Sequence, residues 1–288
     1  MYHYLPHCDA QKLKKSGFEV GAYEYALELG RTYYFDEDDY VIGGKATSID
    51  KMQYSHHDQL AATGYWLPSD SHLWRWLQLN HIDVTLKWDH QEEVFFVTGI
   101  DNTSAEKYHG CNINLLYALF KLIYKICKSG KHKFNSCEVL NFHLPEFHVT
   151  YDQMVKLKTV GFSFPDFEHD LSGGMVYYYE GNCYVIGGPW RGKFTQQDQL
   201  VAKLGHWLPD DSLLWDWLYR NEFDVTYHWS DADQRFYLFA IDSIDNQQYS
   251  AVGEVLVYTL SELVYKICQS SIRCYTPERN LRLEILQE

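Results

Sequence analysis

The chain contains one segment twice, and this duplication constrains its fold more than any other feature. Residues 66–127 align with residues 207–268 at a fixed offset of 141, and 26 of the 62 aligned positions are identical. Upstream the match continues at an offset of 144, where Tyr-Val-Ile-Gly-Gly at 40–44 recurs at 184–188. A unit of about 140 residues is far longer than a solenoid repeat. The sequence therefore predicts two tandem domains, residues 1–136 and residues 137–288, the second with a C-terminal extension.

Hydrophobic periodicity indicates the same order of elements in each domain. In the first, residues 33–42 are typical of a β-hairpin, because β-prone residues flank a polar turn. Helix-start signals at Pro68 and Ser69 predict a helix to Asn80, and residues 83–88 and 94–100 alternate as two antiparallel strands. Residues 114–128 carry the apolar stripe of an amphipathic helix. A short helix at 58–64 and a strand at 281–285 complete the prediction.

The predicted fold class is α+β. We expect two tandem repeats of a β-hairpin–helix–β-hairpin–helix unit, with antiparallel sheets covered by helices. The composition, 46% hydrophobic and 17% aromatic, is that of a globular protein with well-packed cores. No apolar run approaches the roughly 20 residues that span a bilayer, and the N-terminus does not resemble a signal peptide. These features predict a cytoplasmic protein without membrane contact.

The net charge of −14 is unevenly distributed along the chain. Residues 1–136 carry a net charge of −3, and residues 137–288 carry −11. Binding to a nucleic-acid backbone needs basic surface to neutralise phosphates, so this balance argues against direct contact with nucleic acid. It favours a protein partner with a basic surface.

Three groups of residues could carry chemistry, and each has a structural alternative. The pair His56-His57 with Asp58 could bind a metal, but the second copy has Gln196-Gln197 in its place. The Gly43-Gly44-Lys45 stretch lacks the spacing of a phosphate loop. Both copies keep carboxylates that could do acid–base work but whose favoured role is structural, at helix starts and strand ends: Asp70/Asp211, Asp83/Asp224 and Asp101/Asp242. We therefore predict no catalytic residue, no cofactor, no metal site and no enzymatic activity.

The cysteines and tryptophans are expected mainly in the interior. The seven cysteines form no CxxC pair and are predicted to be small buried hydrophobic residues. Eight tryptophans occupy matching positions in the two copies and are expected in the cores, with a surface anchor formed by at least one of them as the alternative: Trp66, Trp74, Trp76, Trp88, Trp207, Trp215, Trp217 and Trp229.

A helix with Leu73-Trp74-Arg75-Trp76-Leu77, a strand ending in Trp88 and a closing helix at 115–127 follow one another in the first copy. From Trp66 to Cys127, and again from Trp207 to Cys268, this order resembles the ABA-sandwich domain family of small bacteriophage proteins. The resemblance implies a phage or prophage origin and no catalytic residues. It also implies binding to a host protein, including components of antiviral defence, by analogy with phage accessory proteins.

We therefore predict a non-enzymatic protein-binding protein, specifically a phage-encoded inhibitor of a host antiviral defence protein that acts in the host cytoplasm. Its acidic second copy would face the basic partner and speed association. The residues predicted to contact the partner are Asp210, Asp211, Asp231, Asp233, Trp207 and Tyr249.

Three alternatives stay open from the sequence. The first is an enzyme or a binder of nucleotides or other small molecules, with a site between the two copies, since clefts at such interfaces often hold ligands. The residues predicted to line that cleft are Tyr33, Tyr34, Tyr177 and Tyr178. The second is an acidic mimic of DNA. In addition, exposed hairpin edges could pair between chains and form a homo-oligomer.

Overall fold

The computed structural model describes residues 4–18, 30–45, 60, 63–89, 92–130, 148–164, 171–189 and 194–270. These residues form an α+β fold with seven helices and three antiparallel sheets. The predicted strand at 281–285, most of the predicted helix at 58–64 and the predicted domain boundary at 136/137 lie outside the described residues. Residues 1–136 are called the first half below, and residues 137–288 the second half.

The two halves have nearly the same order of elements. The first half contains α1 (His7–Lys15), β1 (Thr32–Phe35), β2 (Asp38–Val41), β3 (Gly44–Lys45), β4 (Tyr65–Leu67), α2 (Asp70–Leu79), β5 (Ile82–Asp89), β6 (Val94–Asp101), β7 (Lys107–Asn112) and α3 (Leu115–Ser129). The second half contains α4 (Tyr151–Thr159), β8 (Val176–Tyr179), β9 (Asn182–Val185), β10 (Gly188–Pro189), α5 (Gln196–Leu204), β11 (His206–Leu208), α6 (Asp211–Arg220), β12 (Phe223–Ser230), β13 (Arg235–Asp242), β14 (Gln248–Gly253) and α7 (Leu256–Ser270).

The helices start and end where the capping residues require. The Ser69 side chain accepts a hydrogen bond from the backbone N–H of His72 at the start of α2, and Asp210 accepts one from Leu213 at 2.8 Å at the start of α6. Such caps satisfy N–H groups that have no partner within the helix. Helix α3 ends at Gly130, which adopts a left-handed φ of 63°. The helices predicted at 68–80 and 114–128 are thereby confirmed.

A six-stranded antiparallel sheet spans both halves, in the order β14-β13-β12-β5-β6-β7. The halves meet where β5 pairs with β12, and we call this pair the seam. Helices α2 and α3 pack on the strands of the first half, and α6 and α7 pack on those of the second half. All four helices cover the same face of the sheet. The buried side chains, which occupy every second position along each strand, point to that face. No helix in the described part of the chain packs on the opposite face, which we call the open face.

Two smaller sheets exchange a short strand between the halves. Strand β10 of the second half joins β2, β1 and β4 of the first, and β3 of the first half joins β9, β8 and β11 of the second. The exchange brings Gly43 and Gly187 backbone to backbone: a Cβ atom on Gly43 would lie 2.3 Å from the Cα of Gly187. The Gly-Gly pairs that both halves keep therefore serve this crossing.

The structure contains several elements that the sequence did not predict. These are α1 and α4, the short strands β3, β4, β10 and β11, and the edge strands β7 and β14. All three sheets also combine strands from both sides of the predicted domain boundary. The two predicted units are thus joined by shared sheets rather than by packing of separate ones.

Candidate functional site on the open face of the sheet

The open face consists of the outward-pointing side chains of the six-stranded sheet. They belong to Asp83, Thr85, Lys87, Asp89, Val94, Phe96, Thr98, Ile100, Lys107, His109, Cys111, Asp224, Thr226, His228, Ser230, Arg235, Tyr237, Phe239, Ile241, Gln248, Ser250 and Val252. An antiparallel sheet often has one solvated face, which is then mostly polar. This face is mixed, and its apolar members need an explanation.

Large apolar side chains are exposed on both halves of the open face. Phe239 is 50% exposed, Val252 53% and Phe96 42%, and Ile100 and Ile241 are exposed to a similar degree. Four of the outward-facing residues form one row across neighbouring strands. The row runs from Phe239 on β13 through Thr226 on β12 and Lys87 on β5 to Phe96 on β6. One row across the seam therefore places an aromatic ring on each side of a polar pair. Exposed apolar groups arranged in this way are typical of an interaction surface.

Polar side chains on the open face are fixed by hydrogen bonds. The Thr85 hydroxyl lies 3.3 Å from Nδ1 of His228 across the seam, and the Thr98 hydroxyl lies 3.0 Å from Nδ1 of His109. The ring of His228 also contacts that of Tyr237, with 6.2 Å between centroids. Because these rotamers are held in place, the face is a preorganised surface, and less side-chain entropy is lost when a partner binds.

An acidic turn borders the open face at the end of β12. The backbone N–H of Asp231 donates to Asp83 at 2.7 Å, and the Asp231 carboxylate lies 3.1 Å from Nδ1 of His81. The Asp233 carboxylate accepts from the hydroxyl of Tyr237 at 3.1 Å, and this bond raises the pKa of Tyr237. Asp231 and Asp233 therefore lie together beside the open face.

The outer edges of the six-stranded sheet are capped by lysines. Nζ of Lys125 donates to the carbonyl of His109 on β7 at 2.7 Å, and Lys266, at the equivalent position, donates to Ser250 on β14 at 2.8 Å. A lysine bound at an edge carbonyl obstructs the approach of an added strand there, and lysine is a common edge protector. The sheet is therefore better suited to contacts through its face than through these edges.

Beneath the seam, the N-termini of α2 and α6 meet in a buried polar junction. The Ser71 hydroxyl donates to Oδ1 of Asp211 at 2.6 Å, and the Ser212 hydroxyl donates to the carboxylate of Asp70. Asp70 is 6% exposed and Asp211 4%. Each hydrogen bond joins one half to the other. We call these four residues, together with Tyr227, the junction.

The junction disfavours negative charge on Asp211. Burial raises the pKa of Asp211 well above its usual range, the nearby carboxylates of Asp70 and Asp210 raise it further, and the Ser71 hydroxyl opposes them. Burial also raises the pKa of Tyr227, with a contribution from Asp211. The Tyr227 hydroxyl has no hydrogen-bond partner among the described residues, and its ring lies 4.7 Å from that of Trp74.

Three of the residues predicted to contact a partner are buried. Trp207 is 1% exposed, Asp211 4% and Tyr249 8%, so their side chains present almost no surface. Asp211 lies in the junction, and the hydroxyl of Tyr249 accepts from Ser270 at 2.8 Å. Asp210 caps α6. The predicted acidic surface is thereby corrected to Asp231 and Asp233, with Asp210 at a separate helix start.

The favoured interior position of the tryptophans agrees with the structure: all eight tryptophans with matching positions are buried, at 8% exposure or less, so none of them is a surface anchor. The tyrosines of the alternative cleft lie in two sheets. Tyr33 and Tyr177 are buried in two different sheets, and Tyr34 and Tyr178 are covered by stacked rings of His7 and Tyr151.

Cysteine burial is mixed among the described residues. Cys127 and Cys268 are buried as predicted, and burial raises the pKa of each to about 12. Cys8 and Cys111 are exposed, contrary to the prediction, because neither points into a core.

The described residues contain no group of three or more His, Cys, Asp or Glu side chains able to hold a metal ion. The pair His56-His57 and Asp58 lie outside them.

The carboxylates kept in both halves have structural positions. Asp101 and Asp242 are fully buried and accept hydrogen bonds from the turns that follow β6 and β13.

None of the helices in the described part of the chain is both long and apolar enough to cross a membrane. The chain matches no known protein family, no curated protein and no solved structure.

Proposed function

We propose that the chain is a protein-binding protein that contacts its partner through the open face of the six-stranded sheet. The observation that carries this proposal is the exposure of Phe96, Phe239 and Val252 on a sheet whose edge carbonyls are capped. Six strands about 4.8 Å apart, the four central ones eight residues long and the two edge strands six, give a face of roughly 24 Å by 20–27 Å. This is on the order of the 800 Å² that each partner buries in a stable protein–protein interface.

The charge near this face favours a partner with basic residues around an apolar contact. On the sheet itself, the carboxylates of Asp83, Asp89 and Asp224 are balanced by Lys87, Lys107 and Arg235. The turn after β12 then adds two further carboxylates, Asp231 and Asp233, beside Tyr237. Exposed charges at the rim of an interface act mainly on the rate and specificity of association. The apolar residues would supply most of the affinity.

A single substitution on the face tests this proposal. Phe239→Thr places at this position the residue that occupies the equivalent position in the first half, Thr98, and so suits a strand. Leu204→Gln is the matched control, because Leu204 is 57% exposed but lies on α5, away from the sheet. Immobilised wild-type protein and the control should capture the same partner from host lysate, and Phe239→Thr should retain at least tenfold less of it. Equal capture by all three proteins would refute the face as the binding surface.

Charge reversal tests the acidic rim separately. In the double variant Asp231→Lys, Asp233→Lys, the association rate with the captured partner should fall about tenfold at low salt, and much less at high salt, because salt screens exposed charges. Surface plasmon resonance at two ionic strengths measures this difference. An unchanged rate at low salt would remove the basic surface from the proposal while leaving the apolar contact intact.

Two narrower proposals follow from the sequence. One is that the two halves are tandem copies of an ancestral unit, supported by the identities at an offset of 141 and by the matching capping lysines. The other is that the partner is a host antiviral defence protein and the chain a phage-encoded inhibitor of it, which rests on the sequence resemblance alone. Restored defence activity after the Phe239→Thr substitution would support the second.

A further inference from the structure

We propose that the junction between α2 and α6 is a proton-binding site that holds one proton at neutral pH and thereby ties the two halves together. The site is composed of two carboxylates, Asp70 and Asp211, each of which accepts a hydrogen bond from a serine of the other half. This inference is independent of the partner-binding role proposed for the open face.

The geometry brings the two carboxylates to one buried place. Asp70 and Asp211 are both the first residues of their helices, and a helix N-terminus favours a negative charge. The two helices start side by side, however, so two charges would meet where water is nearly excluded. Separated from water, like charges repel strongly, and a pair of buried carboxylates commonly keeps one proton.

Two carboxylates in the described part of the chain disfavour ionisation of Asp211: Asp70 on α2 and Asp210 on its own helix. Tyr227 on β12 also faces Asp211 and supplies no positive charge. Two hydrogen bonds favour the ionised form, one from the Ser71 hydroxyl and one from the backbone N–H at Asp211 itself. The fully buried hydroxyl of Tyr227 has no partner among the described residues, and it is influenced by Asp211. A protonated carboxyl could donate to it, whereas an ionised one could only accept.

The consequence for stability follows from proton linkage. Because the pKa of Asp211 is raised in the folded protein, the folded state binds more protons than the unfolded state above the usual aspartate pKa. The contribution of the junction to stability is therefore complete only below the ordinary aspartate pKa. It is lost as the pH rises from the ordinary aspartate pKa to the raised one.

The test compares Asp211→Asn with the wild-type protein in urea unfolding at a series of pH values between about 4 and 8. Asparagine can still accept from Ser71 but does not ionise. Where one proton is taken up on folding, the ratio of the wild-type to the variant folding constant should fall up to tenfold for each pH unit. Asp233→Asn, which removes an exposed carboxylate, is the matched control and should give a nearly constant ratio. Asp70→Asn is a second variant if Asp211→Asn does not fold.

A direct readout avoids dependence on any variant's stability. The infrared carbonyl band of a protonated carboxylic acid should be present in the wild-type protein at neutral pH, and should be absent from Asp211→Asn. Parallel pH profiles for wild type and Asp211→Asn, or the absence of that band, would overturn the proposal. A rise in melting temperature on adding magnesium or calcium chloride, in the wild type but not in Asp211→Asn, would overturn it in favour of a cation site.

Discussion

Replacing Gly43 by alanine tests the crossing through which the two halves exchange strands. An alanine Cβ at this position would lie 2.3 Å from Cα of Gly187, 2.4 Å from its nitrogen and 2.8 Å from the carbonyl oxygen of Val185. Ordinary van der Waals contact begins near 3.4 Å, so the overlap with Cα is about 1.1 Å. All three neighbours are backbone atoms, which cannot rotate away as the end of a side chain can. The two crossing segments would have to separate.

The expected loss of stability has two parts. Overpacking a tightly packed site costs about 1–3 kcal/mol. Separation of the crossing also weakens the pairing of β3 with β9 and of β10 with β2, each of which is only two residues long. Loss of about two backbone hydrogen bonds adds about 1–3 kcal/mol. The sum is about 2–6 kcal/mol, and because 1 kcal/mol corresponds to about 2–4 °C in a protein of this size, we expect the melting temperature to fall by about 10 °C.

Differential scanning calorimetry measures this change, and Gly130→Ala provides the control. A Cβ atom on Gly130 would meet nothing within 4 Å, and the substitution is unfavourable only because of the left-handed φ of 63°. That backbone strain costs about 1 kcal/mol, or about 3 °C. If Gly43→Ala melts no lower than Gly130→Ala, the halves do not cross as closely as described, and the explanation for the paired glycines fails.

Three further predictions address the edges, an aromatic contact between the halves and the cysteines. The double variant Lys125→Ala, Lys266→Ala should uncover edge carbonyls and increase concentration-dependent association in light scattering, while stability changes by no more than about 1 kcal/mol. Tyr219→Ala removes two ring contacts with the first half, at 4.4 and 5.2 Å between centroids. These pairs contribute about 1–3 kcal/mol at about 0.5–1.5 kcal/mol each, and the lost area burial adds to this, so urea unfolding should show a loss of more than about 1 kcal/mol. A maleimide at neutral pH should label exposed Cys111 but not Cys127, whose pKa is raised to about 12 by burial, as peptide mass spectrometry would detect.

The local elements could be predicted because their causes are local. Helix α2 follows from a Ser69 cap and an apolar face, and α3 from its stripe of leucines. The hairpin of β5 and β6 follows from alternation on either side of a polar turn. Edge strand β7 gave a weaker signal, because its sequence Lys-Tyr-His-Gly-Cys-Asn contains a glycine and few residues with high strand propensity.

The candidate site could be predicted only in part. The acidic turn at Asp231 and Asp233 was found from charge alone, and the structure places it beside the open face. Phe239 and Val252 were missed, although their alternation with buried residues was a usable signal: an outward position with a large apolar residue marks an exposed patch. The burial of Trp207 and Tyr249 depended on what packs against them, which no local pattern specifies.

The sequence by itself determined the main amphipathic helices and the long hairpin strands of each half, the matching positions of the two halves and the imbalance of charge between them. Only the tertiary structure decided how the halves combine: the seam between β5 and β12, the strands exchanged at Gly43 and Gly187, and the buried junction of Asp70 with Asp211. The physical reason is that strand pairing uses backbone hydrogen bonds, which are the same for every residue, so the choice of partner strand depends on long-range packing. For the same reason, two carboxylates 141 positions apart acquire a shared environment only once the two helices start side by side.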